Sequence, residues 1–197
     1  MGKIMRYVLV ATAFFLLPAN VLANSLVKPG VVAGIAKSKI SASPEGEWNK
    51  LKFRPGSKVE IWTLDGPQLN QVMFFGGVEP GQPLFKEADK KRAPLPKVGS
   101  GMLITDIPAL LESTYRARRD VNRMTIETQE PAVVNGTSGV KFTYRFVRNE
   151  DDVERTGEAF GAVKNGNLYL VVYEAPSLHF FERDAPRFKR LLSTIRF

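Results

Sequence analysis

The chain has 197 residues, 44% of them hydrophobic, with 28 Lys and Arg against 20 Asp and Glu, a net charge of +8, one histidine and no cysteine. This composition excludes disulfides, thiol nucleophiles, thiolate metal sites and multi-histidine metal centres. The length suits one domain with a real core; the basic balance suits anionic surfaces such as phospholipid, lipopolysaccharide or another polyanion, with a merely solvated basic surface as the alternative.

Lys3 and Arg6 precede an apolar run at 8–17, shorter than the ~20 residues that span a bilayer. Pro18 and Asn20 end the run, and Val21-Leu22-Ala23 resembles a cleavage site. Residues 1–23 therefore read as a signal peptide cleaved after Ala23, an uncleaved anchor being the alternative. Cleavage removes Lys3 and Arg6 and takes the net charge from +8 to +6. The expected location is the periplasm, or secretion beyond it, with no transmembrane segment in the mature chain. Residues 24–34 read as a linker and 35–197 as a single globular domain.

Trp48, Leu51 and Phe53 follow a Pro-Glu-Gly turn and are expected to pack early. Residues 58–64 read as a strand, with Val59 and Ile61 on one face and Trp62 and Leu64 on the other. Asp65-Gly66-Pro67 turns the chain into a partner strand at 69–75, which Gly76-Gly77 is expected to break. Residues 78–101 form a long connection with four prolines and no periodic pattern, a kind of segment that is usually functional or mobile.

Thr105 is placed to cap a helix in which Ile107, Leu110, Leu111, Thr114 and Tyr115 make one apolar stripe. Arg116, Arg118 and Arg119 complement its C-terminal end. Met124, Ile126 and Thr128 alternate as a strand ending before Pro131, and Asn135-Gly136 leads onward. Val140, Phe142, Tyr144 and Phe146 alternate with polar residues. A second strand at 154–163 carries Gly157, Ala159, Gly161 and Ala162, small enough for a helix to press close. Asn165-Gly166 is the strongest hairpin signal in the chain. Leu168–Glu174 is apolar on both alternating faces, Leu168, Leu170 and Val172 on one and Tyr169, Val171 and Tyr173 on the other, so both faces must be covered. A second helix is expected over 184–193, capped by Asp184, with Phe188, Leu191 and Leu192 inward. The fold class is α+β: an antiparallel sheet covered by helices.

Trp62-Thr63-Leu64-Asp65-Gly66, Phe74-Phe75-Gly76-Gly77-Val78-Glu79-Pro80-Gly81, Gly139-Val140-Lys141-Phe142-Thr143-Tyr144 and Tyr173-x-Ala175-Pro176 resemble uncharacterised exported bacterial proteins that share a Trp-Thr-x-Asp-Gly hairpin. More distantly the layout is similar to the PsbP and DcrB superfold, whose members include a photosynthetic extrinsic subunit and a Ran-binding nuclear factor. The resemblance implies an α/β/α sandwich that acts by binding. Many members of the bacterial group look like lipoproteins; this chain lacks their lipid-accepting cysteine, which implies a soluble location. No catalytic residue is carried over by the resemblance.

No P-loop, dinucleotide fingerprint or Gly-x-Ser-x-Gly occurs. His179, beside Phe180 and Phe181, reads as structural. The acidic run at 149–154 matches no calcium loop, and neither a metal nor a cofactor is expected. Two patches stand out. Arg116, Arg118, Arg119 and Arg123 with Lys90, Lys91 and Arg92 could dock phosphate or carboxylate, or could be a solvated helix end. Trp62, Phe74 and Phe75 could form an apolar partner edge, or plain core. Glu158 is expected to pair with Arg145 across strands and is the carboxylate on which an enzyme reading would rest. The favoured function is a non-catalytic exported domain binding an envelope component or protein partner, without nucleic acid; a hydrolase-type enzyme and a secreted effector are the alternatives.

Overall fold

The computed structural model describes residues 24–119, 121–148 and 151–197; the expected signal peptide at 1–23, with its expected cleavage after Ala23, lies outside the described residues. Ten strands and two α-helices follow in the order β1 (Ser25–Val27), β2 (Val32–Ile35), β3 (Ile40–Ala42), β4 (Trp48–Lys50), β5 (Val59–Thr63), β6 (Gln71–Val78), α1 (Ile107–Arg119), β7 (Val121–Val134), β8 (Thr137–Arg148), β9 (Glu154–Lys164), β10 (Asn167–Pro176) and α2 (Phe180–Ser193). Eight strands form one sheet in the order β1-β4-β5-β6-β10-β9-β8-β7, and β2 pairs with β3 alone. All the pairings are antiparallel.

Strand β10 lies between β6 and β9, and its two-faced apolar pattern divides as the alternation requires. Leu168, Leu170 and Val172 enter one core with Ile107, Leu111 and Tyr115 of α1. Val171 and Tyr173 enter the other with Phe188, Leu191 and Leu192 of α2 and Ile35, Ala36 and Ile40 of the small hairpin. Burying a large aliphatic or aromatic side chain stabilises by about 1.5–3 kcal/mol, so β10 and the strands beside it hold much of the core. One helix lies on each face, and non-helical chain completes both covers.

Several local expectations hold. The α1 stripe is buried throughout, and the hairpin turns at Asn135-Gly136 and Asn165-Gly166 both have positive φ at each residue. A Cβ on Gly161 would lie 2.8 Å from Ile107 Cγ2, so the small residues of β9 admit α1. Gly157 instead lies under the Tyr144 ring.

Other expectations are corrected. Residues 24–34 are not a free linker, because β1 pairs with β4 and Val27 is buried; alternation too short to register in the sequence is stabilised by an existing edge. Gly76-Gly77 does not end β6, which runs to Val78 with a register shift opposite Leu168 and Tyr169. Gly77 takes φ 68° there with the Tyr169 hydroxyl close by, a conformation that glycine adopts without strain. Strand β7 continues through Pro131 because it is the last strand of the sheet, where a missing N–H costs no ladder bond. Helix α2 begins at Phe180 rather than Asp184, after His179 at φ 69°. Asp184 is buried and binds Asn70 and Arg183 instead of capping. Helix α1 is preceded by a 3-10 turn over Ile104–Asp106, and the Asp106 carboxylate, not Thr105, accepts the Leu103 N–H at 2.9 Å.

The connection at 78–101 is anchored rather than loose. Leu84, Phe85, Leu95 and Val98 are buried in the α1-side core, and Val98 N–H donates to the Gln82 carbonyl at 2.9 Å. At the C-terminus, Arg196 and Ser41 exchange backbone hydrogen bonds, and Phe197 packs on Phe160 and Tyr169.

Gly161→Ala is expected to destabilise the chain by about 1–3 kcal/mol through overpacking against Ile107, read as a lower urea midpoint. Lys39→Ala, on the exposed turn of the small hairpin, is expected to stay within about 0.5 kcal/mol of the parent.

Candidate functional site: a cationic cleft at the sheet end

A cleft of about 540 Å³ opens where β5 begins and β6 ends. Four separate stretches wall it: the β2–β3 turn with Lys37, the 54–58 turn with Arg54, Ser57 and Lys58, the end of β6, and the start of the long connection with Phe85, Lys86 and Lys90. Lys37, Arg54, Lys58, Lys86 and Lys90 set five cations against Glu79 and Glu87. Glu87 is partly engaged, since its Oε1 accepts the Leu95 N–H at 3.0 Å.

The β2–β3 turn is placed by contacts beneath it. Ala36 and Lys37 both have positive φ, 54° and 53°, a backbone that non-glycine residues rarely hold without support. The support comes from Glu60, whose Oε2 accepts the Ala36 N–H at 3.3 Å, and from Gly76, where any Cβ would strike Ser38. The turn thus sits directly on the sheet and holds Lys37 at the cleft rim.

Glu60 is 1% exposed, a burial that an unpaired carboxylate does not tolerate. Lys50 Nζ lies 3.1 Å from Oε1, Arg54 Nη2 donates to Oε2 at 3.2 Å, and Trp62 Nε1 donates to Oε1 at 2.9 Å. Arg54 is therefore fixed from behind. Its other terminal nitrogen, Nη1, is buried and has no hydrogen-bond partner among the described residues. Arg54 lines the cleft, and a guanidinium held in place there is suited to an anion.

The sequence-predicted residues separate. Lys90 lines the cleft. Lys91 and Arg92 are exposed, their N–H groups both donating to Asp89 Oδ1. Arg116 pairs with Glu112 at 2.7 Å, and Arg123 is exposed on β7. The side chain of Arg119 lies outside the described residues. Arg118 joins helix end and loop, its Nη1 donating to the Lys86 carbonyl at 3.0 Å. Trp62, Phe74 and Phe75 are fully buried and are core, not a partner edge, because the sheet is covered on both sides. Lys37, Arg54 and Lys58 join the cleft without a signal in the sequence, because Lys37 comes from a different turn than Arg54 and Lys58 and the three make no local pattern.

Glu158 does not pair with Arg145. It lies near Lys141 Nζ at 3.3 Å and Lys189 Nζ at 3.8 Å, while Arg145 pairs with Glu127 and Glu154. The register puts Glu158 opposite Thr143 and Tyr173, so an α2 lysine, invisible to strand alternation, completes its environment. His179 is exposed at the start of α2.

A second polar group is wholly internal. Glu174 Oε1 accepts from Tyr115 at 2.5 Å and Tyr144 at 2.7 Å, and its Oε2 accepts from Gln71 at 2.8 Å. The network joins α1, β8, β6 and β10. Burial, reinforced by the Glu174 charge, raises the Tyr144 phenol well above its ordinary 10.0.

No family model and no curated protein matches this chain. Solved structures do. The solution structure of cyanobacterial PsbP (CyanoP) from Synechocystis sp. PCC 6803 aligns with TM-score 0.52 at 14% identity, over 91% of this chain and 95% of that one. A protein of unknown function from Pseudomonas aeruginosa gives TM-score 0.46 at 11% identity over 89% and 97%. One from Bacteroides thetaiotaomicron VPI-5482 gives 0.49 at 6% over 86% and 48%. The chain has a distantly PsbP-like fold, a mostly antiparallel sheet with two helices.

Tyr144→Phe is expected to cost about 1–3 kcal/mol at pH 7 by removing one donor from a buried carboxylate, read by urea denaturation. Because the folded Tyr144 value is raised, the phenol contribution is complete below pH 10.0 and is lost above it, as the unfolded chain releases the proton first. Stability is expected to fall above about pH 10, more steeply in the parent than in Tyr144→Phe.

Proposed function

We propose that this chain is a non-catalytic exported domain that binds an anionic envelope component, a phosphate-bearing lipid surface, through the cationic cleft. The carrying observation is the convergence of Lys37, Arg54, Lys58, Lys86 and Lys90 from separate stretches onto one cleft, with Arg54 anchored by buried Glu60. Lysines act as point charges for phosphate, and a cleft of one sign concentrates anions. The net positive charge, +8 for the whole chain and +6 once Lys3 and Arg6 are removed with residues 1–23, favours the same partner, and export, read from the N-terminal segment, would bring the chain to it. We also read the fold as a PsbP-like α/β/α sandwich. One helix in each core supports that reading, and kinship with exported bacterial proteins bearing the Trp-Thr-x-Asp-Gly hairpin goes with it.

Residues 24–197 should co-sediment with vesicles containing phosphatidylglycerol and not with phosphatidylcholine alone, and binding should weaken at least about tenfold between low and physiological salt. Lys37→Gln, Lys58→Gln and Lys90→Gln combined should weaken binding by a similar factor with an unchanged urea midpoint. Equal binding to both vesicle types, no binding, or indifference to the triple substitution would each overturn the reading.

A further inference from the structure

Strand register decides what shares the cleft's end of the sheet. Val78, at the end of β6, lines the cleft and pairs with Leu168 at the start of β10. Asn167 pairs with Lys164, so the Asn165-Gly166 turn lies at that end. Val140 pairs with Gly161, which places the start of β8 there, and Val134 pairs with Thr137 across the Asn135-Gly136 turn. Four strand steps separate β6 from β7, about 19 Å at about 4.8 Å each. The cleft is thus one side of a broad surface made of turns.

Three further features belong to this surface. Lys39 is exposed on the same hairpin turn as Lys37, and exposed Lys97 pairs with the cleft residue Pro83, so positive charge extends beyond the cleft walls. Val133, 67% exposed, stands beside the Asn135-Gly136 turn. The chain also enters the fold from this side. Ser25 pairs with Lys50 and Val27 with Trp48, while Lys50 pairs with Trp62 and Asn49 with Thr63. Strand β5 starts at Val59, next to the cleft residue Lys58, so Ser25 is the end of β1 nearer the cleft. Whatever holds the apolar run at 8–17 holds the domain by this end. Several cations elsewhere are paired on the spot: Arg145 with Glu127 and Glu154, Arg116 with Glu112, and, at the opposite sheet end, Arg155 with Asp151 and Arg183 with Asp65.

We propose that the cleft end of the sheet is the membrane-facing surface of the domain, which docks end-on against an anionic phospholipid bilayer with its strands steep to the bilayer plane. The proposal rests on the phosphate-bearing-surface reading of the cleft and adds which way the molecule stands. Lys37, Lys39, Lys58, Lys90 and Lys97 face the headgroups together. A surface potential decays over about 8–10 Å, so cations gathered on one face act on a bilayer where the same cations spread around the molecule would not. Each such lysine strengthens binding about fivefold. Val133 reaches the interfacial layer, where an apolar side chain adds to the attraction.

The test uses residues 24–197 and phosphatidylglycerol vesicles with and without bromine-labelled lipid. The chain has no cysteine, so Ser100→Cys, Ser138→Cys, Gln68→Cys and Leu178→Cys each provide a single thiol for a bimane label, all at exposed positions. Ser100 follows Val98, which bonds the cleft residue Gln82, and Ser138 adjoins the Asn135-Gly136 turn; Gln68 and Leu178 lie at the opposite sheet end, between β5 and β6 and after β10. Bromolipid should quench the first two labels and leave the other two unchanged. Lys39→Gln and Lys97→Gln, neither of which lines the cleft, should each weaken co-sedimentation about fivefold with an unchanged urea midpoint. Val133→Ser should weaken it without altering the salt dependence. A parent that does not bind the vesicles would overturn this proposal and the cleft reading alike. Binding that is lost in the cleft triple variant but is indifferent to Lys39→Gln and Lys97→Gln, or that quenches labels at both ends equally, would leave the cleft reading in place and overturn the end-on surface.

Discussion

Strand β10 cannot be exposed on either face, and that constraint sets the rest of the structure. With Leu168, Leu170 and Val172 on one side and Val171 and Tyr173 on the other at zero exposure, both sides of the sheet must be covered. Two helices of 13 and 14 residues are too little to cover an eight-stranded sheet. The chain recruits the small β2–β3 hairpin and its own C-terminus on the α2 side, and the long connection on the α1 side. Cover made of turns has a consequence that cover made of helices would not. It brings exposed, basic turn residues to the sheet end, and there they meet.

The cleft follows from that arrangement. Lys37 is held out by a left-handed turn seated on Gly76 and Glu60. Glu60 is buried because β5 alternation directs it into the α2-side core, between Val59 and Ile61 on the opposite face. Lys50, Arg54 and Trp62 compensate for its burial. The same carboxylate thus anchors the turn and orients the arginine that lines the cleft. Glu174 has the corresponding role on the α1 side, where two phenols and an amide tie α1 to three strands. A buried carboxylate with several donors is costly to strip of one and specific in what it accepts, so each of these groups fixes relative positions more than it adds net stability.

Much of the framework was legible because it depends on local periodicity. The α1 stripe, the inward set of α2, the Asn-Gly turns and the two faces of β10 are all patterns within a few residues, and the backbone geometry leaves them one arrangement. The misread boundaries share a cause. Pro131 and Gly76-Gly77 are breakers in an isolated segment, but an outermost strand and a bulge opposite Tyr169 accommodate them. Residues 25–27 lack a signal of their own and are a strand only because Trp48–Lys50 offers an edge. Asp184 looked like a cap because Pro186 follows it, and the helix instead starts earlier, leaving Asp184 to bind Asn70 from another part of the chain.

The sequence by itself determined the chemistry within reach: a thiol-free, strongly basic chain with one histidine, an antiparallel sheet with both faces buried, and helices of known apolar faces. Composition and short-range alternation are sufficient for that, since each is a property of residues near one another along the chain. Tertiary structure alone decided which charges meet. Lys37, Lys58 and Lys90 converge, Arg116 and Arg118 part company, Glu158 finds Lys189 rather than Arg145, and Trp62, Phe74 and Phe75 disappear into the core. Those outcomes depend on the order of strands and the path of the turns over them, and contacts between segments tens of residues apart leave no periodic trace in a single sequence.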